Sequence, residues 1–349
     1  MNVTTEVIRQ DDRLAWGEVE RLLEREGIAR DPHLDHTIGL RDTEGRLVAT
    51  GSCWKNTLRC LAVASEHQGE GLMASAVSQL LRVQAERGNE KVFLCTKPEN
   101  EALFSDLGFS AIVRLPELTF LENRPDGFEN WLNEVRASLP ERQPDAHIAA
   151  VVMHANPFTR GHRYLLDKAS EENDLVLLFL LSEESGPIPY AVRKKLAEDG
   201  TADLSKVVLV PAGEYIISHA TFPSYFLKSE ETVVRAHAEL DAAVFVKLAA
   251  ALGSTRRYVG EEPFSRVTAA YNEILKRALP EGGVECRVVP RLCIGDEPVS
   301  ASAVRQAIHD GELERVRDML PKSTYRYFSS EEAEPVVRAI REEQDVRHY

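Results

Sequence analysis

IAAVVMHANPFTRGHRYLL, Ile148 to Leu166, is the stretch on which the fold turns. Ile148 to Val152 form an apolar run of strand length, and an amphipathic segment begins near Gly161. The joint between them carries Asn-Pro-Phe-Thr-Arg-Gly-His. A buried strand that turns into a helix presents backbone N–H groups and a positive helix end, a site suited to phosphate. Gly161 lets a phosphate approach the backbone closely, and His162 can donate to an α-phosphate oxygen as charge builds there.

From His147 onward strands alternate with helices: Ile148–Met153, Leu175–Leu181, Val207–Val210, Arg257–Gly260 and Cys286–Val289 read as the strands. This alternation predicts a doubly wound parallel sheet, whose ligands lie beyond the carboxyl ends of its strands. Met153, Asn156 and Phe158 follow the first strand, and Gly260 ends another where adenine or ribose has room. In EPVSASAVRQAI, Glu297 to Ile308, Ser300 and Ser302 cap a helix with Arg305 one turn inside. Two hydroxyls, free N–H groups and a guanidinium form a second phosphate site, suited to the β and γ phosphates of a nucleotide. Arg193, Lys194 and Lys195 in YAVRKKLAEDG read as solvated helix charges, GEYIISHATFPSYFLK (Gly213 to Lys228) as a packed loop, and Pro263 as turn punctuation.

Before this region the pattern changes. Residues 1–122 alternate short strands with few helices, an α+β unit with strands near Thr5–Arg9, Thr37–Arg41, Leu47–Trp54, Thr57–Val63, KVFLCT, Phe109–Val113 and Glu117–Leu121. Helices are expected over Arg13–Glu26, in GLMASAVSQLLRVQAERG and in ENEALFSDLG, and Thr43-Glu44-Gly45 reads as a hairpin turn. Residues 123–145 are polar, with prolines flanking one helix, and read as a connection to a second domain over 146–349.

The totals narrow the function. With 349 residues, two domains are expected. A formal net charge of -14, from 42 Lys+Arg and 56 Asp+Glu, argues against a nucleic-acid or membrane-surface partner. No stretch approaches the roughly 18 apolar residues of a membrane span, which gives a cytoplasmic reading. Cys53, Cys60, Cys95, Cys286 and Cys293 lack metal-site spacing, and Cys60 and Cys95 read as buried, inert thiols. No protein metal site is expected. The metalloprotease, nucleophile-elbow and P-loop motifs are absent from the sequence.

Thr159-Arg160-Gly161-His162 resembles the (H/T)xGH motif of the nucleotidyltransferase superfamily, and Val299 to Arg305 its ISSTxxR motif, with Ala301 and Ser302 as departures. That resemblance implies ATP with Mg2+ and attack on the α-phosphorus. It assigns catalysis to His162, with Thr159 as a supporting donor and Arg305 on the outgoing pyrophosphate. The nucleotide would lie on Met153, Asn156, Phe158, Gly161, Gly260, Ser300 and Ser302. In the first domain Gln68-Gly69-Glu70-Gly71 resembles the diphosphate-binding turn of GNAT acetyltransferases, and NEALFSDLGF, opening at Asn100, a further segment of that superfamily; Met73 departs from the pattern. Gln68, Gly69, Gly71 and Asn100 would hold a coenzyme-A-like arm.

Together the two halves resemble the citrate (pro-3S)-lyase ligase family, the acetate:citrate lyase ligases. The resemblance implies that acetate is activated as acetyl-adenylate. It is then passed to the thiol of a dephospho-coenzyme-A-type group on the acyl carrier (gamma) subunit of citrate lyase, with release of AMP and pyrophosphate. Three alternatives stay open at this point: a nucleotidyltransferase acting on a cofactor precursor, an acetyl-coenzyme-A-dependent acetyltransferase, and a noncatalytic coenzyme-A sensor.

Overall fold

A computed structural model describes residues 2–184, 186–216, 222–227, 229–261 and 266–343. Parts of the Gly213–Lys228 stretch, and Pro263, lie outside the described residues. The chain forms two compact units: Met1–Asn130 with Pro223–Ala236, and Trp131–Phe222 with His237–Tyr349.

The first unit contains β1 (Thr4–Val7), α1 (Arg13–Arg25), β2 (His36–Arg41), β3 (Leu47–Trp54), β4 (Thr57–Val63), α2 (Leu72–Glu86), β5 (Phe93–Thr96), α3 (Glu101–Asp106), β6 (Ser110–Arg114) and β7 (Thr119–Glu122), followed by α4 (Gly127–Ser138). The strands form one sheet in the order β1-β2-β3-β4-β5-β7-β6. Neighbours are antiparallel except β4 and β5, which run parallel, share the single pair Thr57 and Phe93, and then part. β7 starts later than its sequence suggests, because Leu115 N–H bonds the Leu118 carbonyl and turns the chain there. The 43–45 turn forms as expected, with the Asp42 carboxylate accepting the Glu44 and Arg46 N–H groups.

A bulge divides the core of this unit. The β3–β4 register shifts between Thr50 and Ser52, and Cys60 takes a φ of 50°. The shift reverses side-chain alternation along β4, so Leu58 joins the cluster around α2 while Cys60 and Ala62 join the one around α1. Gly51 stands at the bulge because a Cβ there would come within 2.7 Å of Leu61 and 2.9 Å of Leu80. Burial pushes the Cys60 and Cys95 thiols up to about 12, so both are inert, as expected.

The second unit contains β8 (Ile148–Met153), α5 (Arg160–Glu172), β9 (Leu175–Leu180), α6 (Tyr190–Thr201), β10 (Val207–Pro211), α7 (Glu230–Leu252, which begins in the first unit's segment), β11 (Arg256–Gly260), α8 (Arg266–Glu281) and β12 (Glu285–Val289). A short hairpin of β13 (Cys293–Ile294) and β14 (Glu297–Pro298) follows, then α9 (Ala301–Asp310), α10 (Lys322–Phe328) and α11 (Glu334–Glu342). Five parallel strands lie in the order β10-β9-β8-β11-β12. The order reverses at β8, so the crevice beyond Met153 is the topological switch point at which such sheets take ligands. All six residues of β9 are buried, as its unbroken LVLLFL run requires of a strand covered on both faces.

The protein is therefore α/β: an α+β unit followed by a doubly wound parallel-sheet unit.

Candidate active site

The loop that leaves β8 is held by an arginine whose role the sequence concealed. Arg193 is not a solvated helix charge: it is 1 % exposed and donates to the carbonyls of His154 and Leu181, both at 2.8 Å, of Ile188 at 3.2 Å, and of Glu183. It ties the ends of β8 and β9 together by backbone groups that no helix or strand uses. Lys194 and Lys195 do lie at the surface, beside Glu198 and Glu332.

Within the loop, side chains expected on the nucleotide turn inward. Phe158 is fully buried, and a Cβ on Gly200 would come within 2.5 Å of its ring. A glycine inside α6 thus makes a seat for Phe158, and the ring supports the loop instead of facing a ligand. Met153 is likewise buried in the core cluster. Asn156 is 3 % exposed, and neither its amide oxygen nor its nitrogen has a hydrogen-bond partner among the described residues. Leaving such a buried amide unmatched costs about 1–3 kcal/mol, a cost that a bound polar group would remove.

Thr159 is the N-cap of α5, and its side chain is also turned inward, at 2 % exposure. Its hydroxyl accepts the His162 N–H at 3.4 Å and lies 2.9 Å from His162 Nδ1, while its own N–H donates to that nitrogen at 3.0 Å. The hydroxyl is thus turned to the imidazole. Because Nδ1 accepts, the proton of the neutral ring sits on Nε2, the nitrogen left to donate. The ring stacks on Phe158 with centroids 5.7 Å apart. Desolvation, with smaller contributions from the charges of Arg291 and His154, pushes the His162 pKa down to about 4. His162 is therefore a neutral donor near pH 7. His154 in turn lies 3.2 Å from the Glu183 carboxylate.

The second motif meets the first. A Cβ on Gly161 would lie 3.4 Å from Val299 Cγ1 and 3.6 Å from the Val299 carbonyl. Ser300 is the N-cap of α9, accepting from Ala303 N–H, and its Oγ lies 2.6 Å from that of Ser302. Arg305, 4 % exposed, sends Nη1 back to the Asn156 carbonyl. At least this arm of the fork expected on the departing phosphates braces the loop after β8. Gly260 closes β11, with nothing among the described residues within 4 Å of a Cβ there.

In the first unit Gly69 and Gly71 take φ of 83° and 78°, with nothing among the described residues within 4 Å of a Cβ at either. Gly71 is the N-cap of α2, and among the described residues no side chain caps that helix. Gln68 and Asn100 are exposed, Asn100 at the start of α3. Sequence reasoning missed Arg291, which follows β12 and sends Nε to the Val299 carbonyl at 3.3 Å. It stands just past a parallel strand, the same kind of position that the residues after β8 hold. Among the described residues no group of three or more His, Cys, Asp or Glu is placed to hold a metal ion, and no helix is long and apolar enough to cross a membrane.

The chain thus joins an α+β unit to a doubly wound parallel sheet whose strand ends meet two helix starts. Residues 148–328 match the citrate lyase ligase C-terminal domain, and residues 4–109 the GNAT acetyltransferase family. A citrate (pro-3S)-lyase ligase of Escherichia coli K12 is 33% identical over 93% of each chain. That of Klebsiella pneumoniae is 35% identical over 89% of this chain and 91% of its own, and that of Haemophilus influenzae Rd 30% over 89% and 94%. The chain belongs to the citrate lyase ligase family and is a ligase.

Proposed function

We propose that the enzyme activates acetate with ATP and passes the acetyl group to the thiol of the acyl carrier (gamma) subunit of citrate lyase. The observation that carries this reading is the joining of the two phosphate motifs. Val299 over Gly161, and Arg305 on the Asn156 carbonyl, bring the starts of α5 and α9 to one place beyond β8. The names of the relatives support citrate lyase as the protein acted on, since each is a citrate (pro-3S)-lyase ligase.

Acetate is ionised at neutral pH, so its oxygen attacks the α-phosphorus without a general base. The bond to the bridging oxygen breaks and pyrophosphate leaves with that electron pair. His162 Nε2–H donates to the α-phosphate oxygen on which charge grows, and Thr159 keeps the ring in the donating tautomer. Ser300, Ser302 and the free N–H groups at the start of α9 receive the departing phosphates. The carrier thiol then gives its proton to solvent and attacks the acetyl carbonyl, and AMP leaves with the electron pair of the broken acyl–oxygen bond as the thioester forms. Mg2+ would arrive with the nucleotide and neutralise phosphate charge.

Residues 1–122 serve in this scheme to hold the arm, its diphosphate lying against the open turn of Gln68, Gly69 and Gly71, with Asn100 at the next helix start. Residues 146–349 carry the adenylation chemistry, and 123–145 connect the two. The test is exchange of labelled pyrophosphate into ATP. Exchange that requires acetate is expected; exchange indifferent to acetate, or dependent on a phosphorylated cofactor precursor, would replace this reading with a nucleotidyltransferase.

A further inference from the structure

We propose that Arg291 is a catalytic residue of the nucleotide site, a cation that contacts the phosphate chain of ATP beside His162. The proposal rests on the nucleotide site read above and adds to it a group that lies in neither motif.

The geometry begins with one carbonyl. Arg291 Nε donates to the Val299 oxygen at 3.3 Å, and a Cβ on Gly161 would lie 3.6 Å from that same oxygen. The guanidinium is thus fixed at the point where the backbone before His162 meets the backbone before Ser300. It is only half-buried. Its charge reaches the imidazole strongly enough to rank, after desolvation, first among the influences that keep His162 neutral.

Three positive features converge there: the start of α5, the start of α9 and this guanidinium. Each helix start carries about half a positive charge, of the same sign as the guanidinium. A polyanion is attracted by all three. A phosphate chain laid from His162 towards Ser300 and Ser302 passes the guanidinium on its way. Arg305 is 4 % exposed and braces Asn156, whereas Arg291 offers a more exposed charge at the seam.

A purely structural role remains the rival, because Nε also supports the Val299 carbonyl. Charge and hydrogen bond separate by substitution. Arg291→Gln keeps a donor and loses the charge; Arg291→Lys keeps the charge and a donor; Arg291→Ala loses both. Binding of α,β-methylene-ATP to the full-length protein is measured by calorimetry, with a thermal melt of each variant as a check on folding. A charge-assisted contact to phosphate is expected to weaken binding about tenfold or more in both Gln and Ala, with Lys between these and the wild type. Wild-type affinity in the Gln variant, or in all three, would overturn the assignment and leave Arg291 as a support for Val299. The probe binds without acetate or carrier. Absence of acetate-dependent exchange in a wild type that binds the analogue would therefore sink the proposed reaction and not this residue.

Discussion

Two helix starts in this molecule carry glycine-containing turns resembling phosphate motifs, and they are built in opposite ways. At α2 the cap is Gly71, in the left-handed region, and among the described residues nothing crowds it and no side chain caps the helix. At α5 the cap is Thr159, and a reciprocal box of Thr159 and His162 consumes part of the first turn. An open start offers backbone donors to an anion that only has to be held. The closed start gives up donors to fix one imidazole, which suits a site where charge develops during a reaction and a donor must already be in position.

The contrast breaks most visibly at His162. His162→Ala should lower pyrophosphate exchange by about 10²–10³ while the protein remains folded. Its melt carries a second reading. The folded pKa of about 4 lies below the ordinary 6.5, so the unfolded chain takes up the proton first as pH falls. The stability associated with the neutral ring is present above pH 6.5 and lost on acidification towards 4, and the Tm of the Ala variant should fall less steeply across that window. Wild-type exchange in this variant would end the proposed mechanism.

A change at the open start should strike the other half of the reaction. Gly71→Trp places a bulky residue where φ is 78° and the turn is exposed. Acetylation of the carrier, followed by mass spectrometry, should drop about tenfold as the arm loses its high effective concentration, with exchange retained. Equal loss of both activities would mean that the two starts do not divide the work.

Thr159 gives the smallest and sharpest effect. Thr159→Val removes the cap and the hydroxyl beside Nδ1, at a cost of about 1 kcal/mol in stability and several-fold in exchange, and Thr159→Ser should restore both. A Val variant with unchanged exchange would show that the ring holds its orientation without help.

The sheet was legible because each strand carries its own signal: LVLLFL is a short apolar run that suits a strand buried on both faces, and β3 and β4 span the residues expected of them, though the bulge between them was not legible. His162 was legible for a related reason, since a motif at a strand end fixes where a residue stands. Which way a neighbour faces is another matter. Phe158 and Thr159 lie in the same motif, yet the seat on Gly200 and the cap of α5 turn both inward, and neither partner can be read from the local sequence. Arg193 sits among lysines in a helix that reads as a charged surface; only the carbonyls of two distant strand ends make it a buried clamp. Arg291 follows the strand-end rule without belonging to any motif.

The crossing of Pro223–Ala236 into the first unit bears on how the protein is made and dissected. Tyr225 gives its carbonyl to the Ala29 N–H at 2.8 Å and its ring packs against the cluster around α1. A ribosome delivers the first 130 residues well before Tyr225 emerges, so the leading part of the chain must wait, with one of its surfaces uncovered, for a piece synthesised in the midst of the other unit. A cut after residue 130 would separate that segment from its partners, leaving each fragment with a torn face. Point substitutions, rather than truncation, are the means of asking what either half does alone.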